Sequence, residues 1–266
     1  MIVPSVSRTI AALSIFVAPI AAQGTLGAYA PVAAKYHITS TGKTSQIMMG
    51  QAQEFETTSN QLLSLAVAKA GDALSLTMTL DSATVTTGAP TGAPDMSSAI
   101  GMKFVGGMAL DGKIASSQVT DKSGGVSTSD FAGNMRSILP RLRVGATKGA
   151  VWVDSSKSVG KQGDADLTSE SVVNYTFTGD TVVAGTKAWK IVGVSATKLT
   201  GKGSRMGSDY TIAGDVKGTI TSVVSTAGVL LGQVSESESN LSVDVPAAQM
   251  TIPIVQHATV KVDKVP

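Results

Sequence analysis

The sequence has no cysteine in its 266 residues. That excludes disulfides, a thiolate nucleophile, a zinc site built on sulfur and a lipid-anchored lipobox. Histidine is nearly absent too, with only His37 and His257. A hydrolytic triad needs a histidine beside a nucleophile and an orienting acid, and no G-x-S-x-G elbow accompanies either one. Aromatics are scarce, at two Trp, four Tyr and five Phe, which leaves few platforms for stacking bases. Neither sign of charge dominates. The net charge is +2, and +1 without Arg8, with no basic block to hold phosphates. Nucleic acid is therefore not an expected partner. Beyond the first two dozen residues, no apolar run approaches the ~20 residues a membrane-spanning helix needs.

The start of the chain has the layout of a secretory leader. Met1 to Arg8 carries one positive charge, and Thr9 to Ala22 is an apolar run interrupted by Pro19. Ala22-Gln23-Gly24 fits a small-x-small cleavage site, and cleavage after Ala22 is the alternative. Residues 1–22 thus read as a signal peptide. An uncleaved anchor or a buried helix is the competing reading. Residues 23–33 follow as a flexible lead-in. This pattern places the mature protein in the periplasm of a Gram-negative-type bacterium, or outside the cell.

What the chain does have is Gly, Ala, Ser, Thr and Val, a composition suited to strands and tight turns. Strands are expected at 36–41, 46–58, 62–68 and 74–86. In the last, Leu74, Leu76, Met78 and Leu80 alternate with Ser75, Thr77, Thr79 and Asp81, the period of a half-buried strand. Asp111-Gly112 predicts a hairpin between 102–110 and 113–120. Ser129 to Leu139 is the best helix candidate, stopped by Pro140. Strands are then expected at 167–178, 181–183, 188–200, 208–213, 217–225, 229–243 and 250–262, with Pro253 at an edge or bulge. Val144 to Trp152 should enter this second half and set Trp152 against the sheet. The fold class is mainly β: a long curved antiparallel sheet or partly closed β-barrel with one or two short helices. Residues 34–266 form a single β-rich domain, open to reading as two related halves, 34–127 and 141–266.

Searches for reactive constellations give weak matches. Gly42-Lys43-Thr44 has His37 where a phosphate loop needs its first glycine, and strand-like residues follow instead of a helix. Ser40 with Lys43, and Ser158 with Lys161, match S-x-x-K without a helix or an S-D-N partner. His37 and His257, from the first and last strands, could share a metal across a closed sheet. The other reading is two ordinary strand residues. Asp164, Asp166 and Glu170 form a carboxylate cluster that lacks the glycine of a calcium loop. Glu54 with Glu56, and Glu236 with Glu238, put paired carboxylates on one strand face. They suit acid/base work or a solvated, aggregation-resistant surface. No catalytic residue, cofactor or metal is assigned.

The apolar strand faces have a different use. A concave sheet can hold an apolar or lipid-like ligand, and unbranched methionines accept varied shapes. The residues expected to face such a ligand are Leu63, Leu65, Met78, Leu80 and Trp152. An ordinary filled core is the alternative.

Leu139-Pro140, Val144-Gly145 and Val151-Trp152 resemble the P…V-G…W pattern of an uncharacterised bacterial secreted family. In outline that family is similar to periplasmic lipoprotein-carrier folds, in which a curved antiparallel sheet wraps an apolar groove. The resemblance implies such a sheet and transfers no catalytic residues. Together these readings lead to an exported, non-enzymatic cell-envelope protein that binds an apolar or lipid-like molecule. A structural or protein-interaction module is the alternative.

Overall fold

The computed structural model describes residues 24–48, 50–90, 92–120, 138–162, 164–205 and 207–266. The expected signal peptide, and residues 129–137 of the expected helix, lie outside them. Eleven strands form one sheet: β1 (Val32–Met48), β2 (Gln51–Ala70), β3 (Ala73–Thr87), β4 (Lys103–Met108), β5 (Ile114–Thr120), β6 (Val151–Gln162), β7 (Ala165–Val183), β8 (Thr186–Arg205), β9 (Ser208–Ser225), β10 (Leu230–Val245) and β11 (Met250–Lys264). Their spatial order is β5-β4-β3-β2-β1-β11-β10-β9-β8-β7-β6, antiparallel throughout. The first and last strands pair at the centre, from Tyr36 opposite Lys264 to Gln46 opposite Ile254. The sheet curls into a half-barrel, as expected, with β5 and β6 as its edges.

Several expected strands merge. Segments 46–58 and 62–68 are replaced by a turn at Gly50 and one continuous β2, because Ser59 and Asn60 stay in register opposite Ser40 and Thr39. The expected break between 213 and 217 is absent for the same reason, since Gly214 and Asp215 pair on both sides. Pro253 sits on a central strand, but β1 pairing stops at Ile254, so the proline lies just past its neighbour's reach.

The core occupies only one end of these strands. β1 buries Tyr36 and Ile38, and no residue from Thr39 to Ile47 is buried. β3 buries Leu74, Leu76, Met78 and Leu80, as its alternation requires. Leu63, Leu65 and Val67 of β2, Phe104 and Met108 of β4, Tyr175 and Phe177 of β7, Trp189 and Ile191 of β8, and Val224 of β9 belong to the same cluster. Register shifts interrupt the ladder at four places, beside Leu63, Met108, Phe177 and Leu230, all residues of this core. A bulge bends its strand and increases the twist, so the sheet curls most where its oily side chains must meet.

Two non-strand segments close that end. Residues 24–31, expected to be flexible, are tied down as a strap. Leu26 and Tyr29 are buried, and the strap exchanges two backbone hydrogen bonds with the 138–150 segment, Leu26 N–H to Ala146 O and Gly145 N–H to Leu26 O. Tyr29 N–H donates to Leu110 O, and its hydroxyl donates to Pro140 O at 2.8 Å. The reason is simple: Leu26 and Tyr29 gain more by burial than a free segment keeps in entropy. The 138–150 segment buries Ile138, Leu139, Leu142 and Ala146. Trp152 lies against the sheet as expected, stacked on Tyr175 at 5.6 Å, with its indole N–H donating to Arg141 O.

Arg141 fastens this closure to both edges. Its guanidinium reaches Asp111, in the β4–β5 turn, at 3.1 Å and Asp154 of β6 at 2.9 Å. The hydrogen bond to Asp154, with Asp111 adding charge, holds the guanidinium above its usual pKa. Arg141→Ala is expected to cost about 1–2 kcal/mol, because the pairs are partly solvated. Arg141→Lys should recover little, since one ammonium cannot fork to two carboxylates. Urea midpoints of the two variants check this.

Candidate functional site

Beyond the core, β1–β3 and β7–β11 run on for many residues, largely with the same inside–outside alternation. The inner face changes character along its length. Next to the core lies a waist of small residues, the cross-strand row Thr57, Gly42, Ala258, Ser237, Gly218 and Ser195. Further out, aliphatic side chains return. Ile254, Leu241 and Leu199 stand in one row across Gly214, and Ile252, Val243, Ile212 and Leu167 in the next across Gly201. All seven are half-buried and stand outside the buried cluster. The inner face therefore offers a second apolar stripe that is sheltered but not filled.

The opposite face carries charge. One cross-strand row reads Glu56, Lys43, His257, Glu238, Lys217, so that each carboxylate has a lysine directly beside it on a neighbouring strand. Opposite charges in directly facing positions stabilise a sheet by a few tenths of a kcal/mol per pair. Lys43 Nζ lies 2.8 Å from Glu54, and His257 Nδ1 lies 3.8 Å from Glu238. The hydrogen bond to Glu54 raises the Lys43 pKa. A neighbouring row is mostly hydroxyl: Thr58, Thr41, Thr259, Glu236 and Thr219. A shallow groove of about 900 Å³ is lined by these two rows and by the small-residue waist that runs between them.

The five residues expected to face a ligand fall in the core instead of this groove. Leu63, Leu65, Met78 and Leu80 are 0, 3, 0 and 0 % exposed. Leu63 faces Leu80 and Leu65 faces Met78 in register, while Trp152 is half-buried at the margin of the same cluster. The aliphatic stripe was within the predicted strands but was not singled out. Its signal is the inward parity of Leu199, Ile212, Leu241 and Ile254, which only the register reveals.

The other candidates are strand residues. His37 faces Asp263, six residues along β11 from His257, which is about 20 Å at ~3.3 Å per residue. The two histidines do not meet. Lys43 lies mid-strand, with no helix after it to receive a phosphate. Asp166 and Glu170 lie on β7, and Glu170 pairs with Lys157 at 2.7 Å, which lowers its pKa. Among the described residues, no group of three His, Asp or Glu side chains is placed to hold a metal ion. No helix among them is long and apolar enough to cross a membrane.

No family model and no curated protein matches the chain. The P…V-G…W resemblance thus has no family model behind it. Solved structures with some likeness include Neisserial surface protein A, at 8 % identity and TM-score 0.24, covering 88 % of this chain and 99 % of that one. Salmonella typhi OmpF in complex with daunomycin scores 0.26 at 8 % identity, covering 89 % and 100 %. A DUF1329 family protein from Desulfovibrio piger scores 0.21 at 11 % identity, covering 86 % and 83 %. Scores of this size do not establish a shared fold.

Proposed function

We propose that the protein is a non-enzymatic, exported cell-envelope protein that shelters an apolar chain against the inner face of its half-barrel. One observation carries this reading: the aliphatic stripe of Leu167, Leu199, Ile212, Leu241 and Ile254 is half-buried, although its strands are long enough to have packed it away. A sheet made only for stability gains nothing by extending so far past its core. The small-residue waist leaves room for a chain to lie along the strands, and its hydroxyls suit a polar end. Export rests on the leader-like first 22 residues.

Native mass spectrometry of protein purified from its own host tests the reading directly. An added mass with acyl-chain fragments is expected, and a clean apo mass would sink it. Leu199→Asp combined with Leu241→Asp places two charges in the stripe. The double variant should bind a lipophilic fluorescent probe at least about tenfold more weakly. Because both sites are half-exposed, its melting temperature should move little.

A further inference from the structure

The edge strand β6 offers a second, independent feature. Among the described residues it pairs only with β7, from Val151 opposite Thr176 to Gln162 opposite Ala165. Its other side is a row of backbone donors and acceptors with no strand partner, in which Val151 O alone accepts a described side-chain hydrogen bond, from Arg143 at 3.0 Å. Natural edges are usually blunted by proline, a bulge, lysines along the edge or an inward-pointing charge. β6 has no proline and no bulge, its inward-facing Asp154 is already bound to Arg141, and of its two lysines Lys157 is held by Glu170 of the neighbouring strand. Ser155 to Val159 are exposed on both faces, and Val151, Val153 and Val159 are 56, 57 and 72 % exposed.

We infer that β6 is a homotypic docking edge, pairing antiparallel with β6 of a second copy about a two-fold axis through Ser156. The sequence of the strand decides the occupant. Opposed residues point to the same face of a continuous sheet only if the axis passes through a residue. Ser156 lies at the middle of Val151–Gln162, so this axis uses almost the whole strand. It sets Val153 opposite the second copy's Val159 and Lys157 opposite its Ser155. It also sets Asp154 opposite Ser158 and Trp152 opposite Gly160. No like charges face each other, and the ammonium of Lys157 is already held by Glu170 at 2.7 Å. Moving the axis to Lys157 would oppose two lysines, and moving it to Ser155 would shorten the overlap and set Lys157 against Val153. Main-chain hydrogen bonds would supply the affinity and the two valine pairs the register.

The absence of cysteine makes the test clean. Ser156→Cys in the mature chain, treated with a short bismaleimide, should yield a crosslinked dimer. Ser204→Cys on β8, away from the edge, should not. Sedimentation should give twice the monomer mass for the unaltered chain. It should give the monomer mass for Val153→Lys with Val159→Lys, where lysine faces lysine. Val153→Lys with Val159→Glu should restore the dimer. Circular dichroism checks that each variant keeps its strands. A monomeric mass for the unaltered chain at every concentration reached would overturn the inference. So would a dimer that the two-lysine variant leaves intact. Neither result bears on the apolar stripe, which lies on the inner face.

Discussion

Gly228→Ala is expected to be among the most destabilising single substitutions in this chain. Gly228 sits in the β9–β10 turn at φ +77°, a backbone region that costs an ordinary residue about 1–2 kcal/mol. A methyl group there would stand 2.8 Å from the backbone nitrogen of Ala30 and closer still to the carbonyl oxygen of Ala28. Those atoms belong to the strap, which is held at this point by Ala30 N–H donating to Gly228 O. Crowding of this kind costs roughly another 1–3 kcal/mol, because backbone cannot swing aside as a side chain can. The sum is about 3 kcal/mol, or a melting temperature lower by roughly 6–12 °C in a chain of this size. Gly185 provides the control. It has the same left-handed backbone, φ +78°, but open space where a methyl would go. Gly185→Ala should cost only about 1–2 kcal/mol. Equal losses for the two variants would mean that the strap is not seated as described.

Strongly alkaline solution should unfold the protein cooperatively. Burial pushes the Tyr36 and Tyr175 hydroxyls from their usual 10.0 to about 12, and pushes Tyr29 well upward as well. At Tyr175 the nearby Asp154 carboxylate adds to the effect. The sign follows from which state holds the proton. Above pH 10 the unfolded chain releases these protons while the folded chain keeps them, so stability falls as pH rises. The stabilisation is complete below pH 10 and is lost as pH climbs through about 12. A shift of two units corresponds to about 2.7 kcal/mol for each of Tyr36 and Tyr175. Together they approach the roughly 5–15 kcal/mol that holds a typical domain folded. Urea unfolding across this pH range, followed beside the tyrosinate ultraviolet band, checks the expectation. Tyrosinate should appear together with loss of strand signal, and ionisation before unfolding would contradict it. Tyr36→Phe should lose about 1 kcal/mol at neutral pH, the worth of its 3.0 Å hydrogen bond to Leu230 O, and should flatten the alkaline decline.

Much of the architecture was legible before any coordinates. The 74–80 alternation predicts which face β3 buries, because a strand's side chains must point to opposite sides. Asp111-Gly112 marks a real turn, because its glycine accepts the backbone angle a tight reversal needs. The errors have a common cause. Ser59-Asn60 and Gly214-Asp215 look like turns locally, yet each lies in a long strand with neighbours on both sides. Ladder hydrogen bonds on two sides outweigh a weak local turn preference. The seating of the strap is not legible for a similar reason: a short segment without alternation does not announce which core will take its leucine and tyrosine.

The candidate site was less legible than the fold. Composition and period gave most of the strands and the exclusion of thiolate chemistry, since these depend only on residue type and spacing along the chain. Which strands become neighbours was decided in three dimensions, with β1 zipped to β11 across the whole length of the sequence. That pairing makes a row of Glu56, Lys43, His257, Glu238 and Lys217, and gathers Leu199, Leu241 and Ile254 into one stripe. Cross-strand register depends on long-range closure, and nothing local encodes it. For the same reason the oiliest residues, Leu63, Leu65, Met78 and Leu80, became packed core, while less conspicuous ones were left half-sheltered.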